Sequence, residues 1–244
     1  MITVIDLKKE YGRHLAVDGI NLSVEAGEIF GFIGPNGAGK TTTIRIMGGV
    51  LAPTAGTVLI DGIDMAKEPV KAKKKIGFIP DRPFLYEKLT GREFMSFSAD
   101  LYGMRGDGVL DQAMDLLQRF SLGDWADGLI ESYSHGMKQR LIIAAALLHD
   151  PSVIIVDEPM VGLDPTGIRM VKDLLKSKAR EGKTVFMSTH SLGVAEDICD
   201  RIGIINHGAL IATGTTNDLK RRAGFADADL EAVFLKLTEE QIPA

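Results

Sequence analysis

Apolar stretches rich in β-branched residues recur at Gly27 to Ile33, Lys75 to Ile79, Val153 to Val156 and Thr184 to Ser188. The middle ones are too uniformly apolar to be solvated on either face, which predicts strands in a sheet covered on both sides. A further strand-like run, ITVIDL, follows Met1 directly. Between the strands lie helical patterns. Val171, Leu174 and Leu175 are spaced for one helix face, and Asp164 before Pro165 predicts an N-cap with proline in the first turn. Alternation of strand and helix predicts an α/β core with a mainly parallel sheet.

From Thr90 to Leu148 the strands disappear and helical spacing takes over. Thr90 and Glu93 form a candidate capping box, and Phe94, Phe97 and Leu101 follow on one face. Leu110, Ala113, Met114 and Leu117 repeat the pattern after a Gly-rich break. The expected organisation is one domain over residues 1–244: an α/β core of residues 1–85 and 150–214, a helical subdomain over 86–149, and a helical tail over 215–244. Within the core, Ile202 to Asn206 and Ala209 to Thr213 flank His207-Gly208, a hairpin signal. Leu230, Val233, Phe234 and Leu237 give the charged tail its helical spacing. The run KAKKK, Lys71 to Lys75, reads as a solvated helix end before a strand.

Composition narrows the classes. With 244 residues, 45% hydrophobic and 25% charged, the chain is globular rather than disordered, collagenous or coiled-coil. Lys plus Arg number 28 against 33 Asp plus Glu, and no long basic stripe offers phosphates a track, so no nucleic-acid partner is expected. The single cysteine, Cys199, cannot form an internal disulfide and suits a small core residue after a helical run. No signal peptide precedes the first strand, and the longest apolar run, Leu141 to Leu148, is too short to span a bilayer. A soluble intracellular chain is expected, reaching a membrane only through another protein.

The chemistry is concentrated in two motifs. Gly34 to Thr41, GPNGAGKT, fits the phosphate-loop pattern G-x-x-x-x-G-K-[ST] directly after the strand EIFGFI and directly before the helical TTTIRIM. Its glycines let backbone N–H groups turn inward around phosphate oxygens, Lys40 reaches the terminal phosphates, and the Thr41 hydroxyl can ligate a magnesium ion. The candidate nucleotide-binding segment is Asn36, Gly37, Ala38, Gly39, Lys40, Thr41 and Thr42. The strand Val153 to Val156 then ends in Asp157 and Glu158. Asp157 is the candidate magnesium partner, and Glu158 can orient and deprotonate an attacking water.

Between the two motifs lies YSHGMKQR, Tyr133 to Arg140, which by itself reads as a helix start capped by Ser134, ahead of VIIVDEP. At this point the sequence resembles the nucleotide-binding subunits of ABC transporters over essentially the whole chain. YSHGM stands where that family has its LSGGQ signature. The resemblance implies a P-loop NTPase core of the RecA-like type with an inserted helical subdomain. It implies that Tyr11 stacks on adenine and that His190, after the strand TVFMS, is the switch histidine that contacts the γ-phosphate. It also implies that Ser134, Gly136 and the D-loop Asp164 serve ATP from the opposite subunit of a head-to-tail dimer, Asp164 keeping its N-cap role as well. Two departures stand out. Asp81 replaces the Q-loop glutamine after IGFIP, leaving it as a candidate ligand of metal or water, and the signature carries Tyr133, His135 and Met137 in place of its Leu, first Gly and Gln.

The implied function is an ATP-hydrolysing subunit, with ATP and Mg2+, of an exporter-type transporter. Its partners would be a second ATPase subunit, identical or closely related, and a separate transmembrane permease that holds it at the inner face of the cell membrane. The rival expectation is a soluble ABC-type ATPase with a non-transport partner.

Overall fold

The computed structural model describes residues 1–82, 84–224 and 229–239. β1 (Ile2–Tyr11) and β2 (His14–Val24) form a hairpin, and β3 (Ile29–Ile33) leads through the phosphate loop into α1 (Lys40–Met47). β4 (Ala55–Ile60), β5 (Ile63–Asp64), α2 (Pro69–Lys73) and β6 (Ile76–Ile79) follow. Three helices come next, α3 (Gly91–Leu101), α4 (Val109–Arg119) and α5 (His135–Leu147). The chain then returns to alternation with β7 (Val153–Asp157), α6 (Pro165–Arg180), β8 (Thr184–Ser188), α7 (Leu192–Ile198), β9 (Arg201–Asn206) and β10 (Ala209–Gly214). α8 (Thr216–Arg222) and α9 (Leu230–Glu239) complete it.

The central sheet runs β10-β9-β3-β8-β7-β6, parallel from β9 to β6, with β10 antiparallel at one edge. Every residue of β3, β7 and β8 is buried, the cause of their unbroken apolar sequence. The predicted hairpin is present: His207 and Gly208 have φ of 47° and 82°, the double left-handed turn that suits strand twist. α9 buries Leu230 and Val233 and packs Phe234 and Leu237 against the same cluster. The tail residues 225–228 and 240–244, and Pro83 after the Asp81-Arg82 turn, lie outside the described residues.

A second sheet, β2-β1-β4-β5, is antiparallel, and only the start of β1 was legible as strand. Bulges hid the rest. β1 shifts register between Val4 and Leu7, around Asp6 at φ 46°, so its inward positions are Ile2, Val4 and then Leu7. A strand that changes phase loses the period-2 pattern by which it is recognised.

In α3 the capping box forms, with the Glu93 N–H donating to Thr90 Oγ1 at 3.2 Å and the Thr90 N–H to Glu93 Oε2 at 2.8 Å. The predicted face needs correction. Phe94 is buried, but Phe97 and Leu101 are exposed, and the inward side is Phe94, Met95, Ser98 and Ala99. Leu110 of α4 is likewise exposed while Ala113 and Leu117 are buried. Phe97 instead meets the Tyr86 ring edge-on at 5.4 Å. Cys199 packs partly into the core, where burial pushes its thiol up to about 12, so it stays protonated and unreactive at neutral pH. No helix among the described residues is long and apolar enough to cross a membrane.

Candidate active site

The phosphate loop joins the buried end of β3 to α1. Gly39, the cap residue, has φ 106°, and a Cβ there would run into the Ala16 carbonyl oxygen, so only glycine fits. It supplies no capping side chain, which leaves a bound anion to satisfy the first-turn N–H groups. Lys40 is 8% exposed, and its Nζ donates to the carbonyl oxygens of Gly34 at 2.7 Å and Pro35 at 3.1 Å. Burial lowers its pKa, opposed by the carboxylates of Glu158 and Asp157. On its far side the loop is braced by the hairpin turn, since the Gly208 N–H donates to Ala38 O at 2.9 Å.

Asp157 ends β7 between β6 and β8 and is 2% exposed. Its carboxylate accepts from the hydroxyls of Ser188 and Thr41. Burial raises its pKa, the charges of Asp81 and Glu158 add to that, and the two hydroxyls oppose it. Such a carboxylate gains from a nearby cation. Thr41 and Asp157 together offer two hard oxygen donors, and the described residues hold no cluster of three or more His, Cys, Asp or Glu that would cage a metal. That sparse donor set fits magnesium, which takes one or two protein oxygens and completes its shell with phosphates and water.

Glu158 has a left-handed φ of 51°, a conformation that costs about 1 to 3 kcal/mol in a non-glycine residue. The Ser188 end of β8 holds it there, because the Glu158 N–H donates to Ser188 O at 3.3 Å and Ser188 Oγ at 3.2 Å. The twist brings Glu158 Oε2 to 2.8 Å from His190 Nδ1. A carboxylate only accepts, so Nδ1 carries the proton of this bond. Tyr11, His14, Lys40, Thr41, Glu158 and His190 line one pocket of about 480 Å³, with Asn36, Gly37, Gly39 and Thr42 around its floor. Ala38 lies behind the loop, buried. Asp81 follows β6, whose Ile79 pairs with Val156, and its charge reaches Asp157 from there. Sequence reasoning missed His14 and Ser188; the one legible signal was a hydroxyl ending the apolar strand two residues before His190.

Ser134, Gly136 and Asp164 line a different pocket, also of about 480 Å³, which shares no lining residue with the first. Ser134 caps α5, accepting from the Met137 N–H at 3.3 Å, and Asp164 caps α6, accepting from the Gly167 N–H at 2.8 Å. Among the described residues nothing requires glycine at position 136. A Cβ there would meet only Gly162 O at 3.8 Å and Leu163 Cδ2 at 3.9 Å, ordinary contacts.

Comparison with known proteins gives this arrangement its context. The family model "ABC transporter" matches residues 17–161. The linearmycin resistance ATP-binding protein LnrL of Bacillus subtilis is 40% identical over 224 residues, covering 92% of this chain and 72% of LnrL. The probable multidrug ABC transporter ATP-binding protein YbhF of Escherichia coli is 36% identical over 98% of this chain, which spans only 42% of YbhF. A solved ATP-binding subunit of an ABC transporter superposes with a TM-score of 0.92 at 33% identity, over 97% of this chain and 99% of that one. A dimeric ATP-binding cassette in a post-hydrolysis state with ADP and Pi superposes with a TM-score of 0.81 at 29% identity, over 88% and 98%. A phosphate loop, an acidic strand end and a signature helix on one α/β frame thus agree with both kinds of comparison: the chain belongs to the ABC transporter family, as an ATP-binding and ATP-hydrolysing subunit.

Proposed function

We propose that the chain works as one half of an ATP-driven dimer coupled to a separate membrane-spanning partner, on the export side of the family and at the inner face of the membrane. One observation carries this reading: the phosphate-loop pocket and the signature pocket share no residue, so Ser134 and Gly136 need a second chain to act on ATP. The absent side chain at Gly136 supports it, since only a group from outside makes use of that space. The similarity to LnrL, a linearmycin resistance protein, and to YbhF, a probable multidrug transporter protein, supports export.

In this reading Tyr11 stacks on adenine, and the backbone from Asn36 to Thr42 wraps the phosphates. Lys40 transfers its hydrogen bonds from the Gly34 and Pro35 carbonyls to phosphate oxygens. Thr41 and Asp157, with Asp81 directly or through water, would hold magnesium, which when bound would neutralise charge on the phosphates. Glu158, oriented by the Nδ1–H of His190, accepts the proton of the attacking water, and another edge of the His190 ring contacts the γ-phosphate. From the opposite subunit, Ser134 and Gly136 at the α5 N-terminus stabilise γ-phosphate charge, with Asp164 beside them. The helical unit 86–149 presents Ser134 and Gly136 to the opposite subunit, the core of 1–85 and 150–214 carries the phosphate loop and Asp157, and the tail 215–244 completes the domain.

Tyr11→Ala weakens ATP binding by about 1 to 3 kcal/mol, the scale of base–aromatic stacking, and Tyr11→Trp largely restores it. A fluorescent-nucleotide titration decides, and an unchanged dissociation constant in the alanine variant removes the stacking role.

Co-purification with a membrane-spanning protein tests the transport reading, through stimulation of ATPase activity by that partner. In that complex Asp81→Ala retains ATP binding and loses more of the stimulation than of the basal rate, while Asp81→Gln recovers most of both. Equal loss of both rates, or of neither, refutes a coupling role for Asp81. A failure of any membrane protein to bind favours the soluble ATPase instead.

A further inference from the structure

Two turns of the signature pocket meet through one side chain. His135 is the first helical residue of α5, directly after the cap Ser134. Its imidazole lies against Gly162, which holds a φ of 76°, and a Cβ at Gly162 would collide with Cδ2 and Nε2 of the ring. The missing side chain of Gly162 is thus explained within the chain, by the histidine and by the backbone twist. That of Gly136 is not, as described above. Both sides of the contact are anchored independently: Arg140 donates to Gly136 O at 3.4 Å and Phe120 O at 3.0 Å, and Asp164 caps α6.

We propose that His135 is a positioning residue of the ATP site between subunits. By filling the space over Gly162 it latches the turn carrying Leu163 and Asp164 to the first turn of α5. Ser134, Gly136 and Asp164 then meet the opposite subunit's nucleotide as one preformed surface. Glycine, which the family's signature usually has here, offers no side chain for this contact. The proposal rests on the head-to-tail dimer argued above. Preorganisation of this kind acts on the closed state, because a surface already in place loses less freedom when it docks. His135 is exposed, so replacing it removes the latch without opening the core.

The test uses the full chain and reads steady-state ATPase kinetics, with ATP-dependent dimerisation in a Glu158→Gln background measured by light scattering. His135→Gly lowers kcat about tenfold with KM for ATP little changed, and raises the protein concentration needed for dimerisation by a similar factor. His135→Phe, a ring of similar shape without polar atoms, keeps most of the wild-type rate. Gly162→Ala is harmful in the wild type and about fivefold less so beside His135→Gly, because the two positions are coupled by contact. An unaffected His135→Gly, a phenylalanine variant as slow as the glycine variant, or equal losses from Gly162→Ala in both backgrounds overturns the latch. Gly136→Val separates the two readings. Loss of the dimer in Gly136→Val with a normal His135→Gly refutes the latch alone, whereas a dimer that survives Gly136→Val removes the head-to-tail arrangement and the latch with it.

Discussion

Glu158→Gln keeps nucleotide binding and slows ATP hydrolysis by about a hundredfold or more, the usual contribution of a positioned base. The substitution is nearly isosteric. Its amide oxygen can still accept from His190 Nδ1, and the bonds from the Glu158 N–H to Ser188 are made by backbone, so the left-handed twist at this position is preserved. What disappears is the proton acceptor. A negative charge near the terminal phosphate disappears too, which favours retention of ATP rather than its loss. Because the chemical step fails while Lys40 and the phosphate loop are intact, the ATP-bound dimer accumulates and is seen by gel filtration. Near-normal turnover rules out the base role. Slow turnover with no ATP-dependent dimer keeps the base and removes the sandwich, so the two parts of the reading are tested apart.

Lys40→Ala lowers ATP affinity by about 3 kcal/mol, more than a hundredfold, the scale for removing one aimed electrostatic partner from a water-poor site. The ammonium is buried, already hydrogen-bonded by the Gly34 and Pro35 carbonyls, and flanked by Asp157 and Glu158. Without it those carboxylates repel the triphosphate with no positive side chain between them. Titration with a fluorescent ATP analogue, next to a melting curve that shows the variant is folded, measures the loss. Wild-type affinity in a folded variant would falsify the assignment of Lys40 to the phosphates.

Features set by a few consecutive residues were the ones legible in advance. The caps at Thr90, Ser134 and Asp164 each need a side-chain oxygen and an N–H three residues on, and each forms. The His207-Gly208 turn needs two residues that tolerate positive φ. Where regularity broke, the reading faltered. The bulges in β1 concealed most of that strand, and the large apolar side chains of Phe97 and Leu101 pointed to the wrong side of α3, whose inward face turns on Met95, Ser98 and Ala99.

The sequence alone determined the buried parallel strands, the phosphate loop and its lysine, the acidic end of β7 and the helix start at Ser134, because apolar runs, fixed motif spacing and capping act over short stretches of chain. Tertiary structure decided what those pieces do together. Ser188 lies 31 residues from Asp157 in the chain, yet register between β7 and β8 places its hydroxyl on that carboxylate and its backbone under Glu158. The same packing twists Glu158 toward His190, sets His135 on Gly162, and keeps the signature pocket apart from the phosphate loop. Those relations depend on which strands pair and where loops cross, and neither local propensity nor residue type encodes them, because their energy comes from burial and hydrogen bonds between segments far apart in sequence.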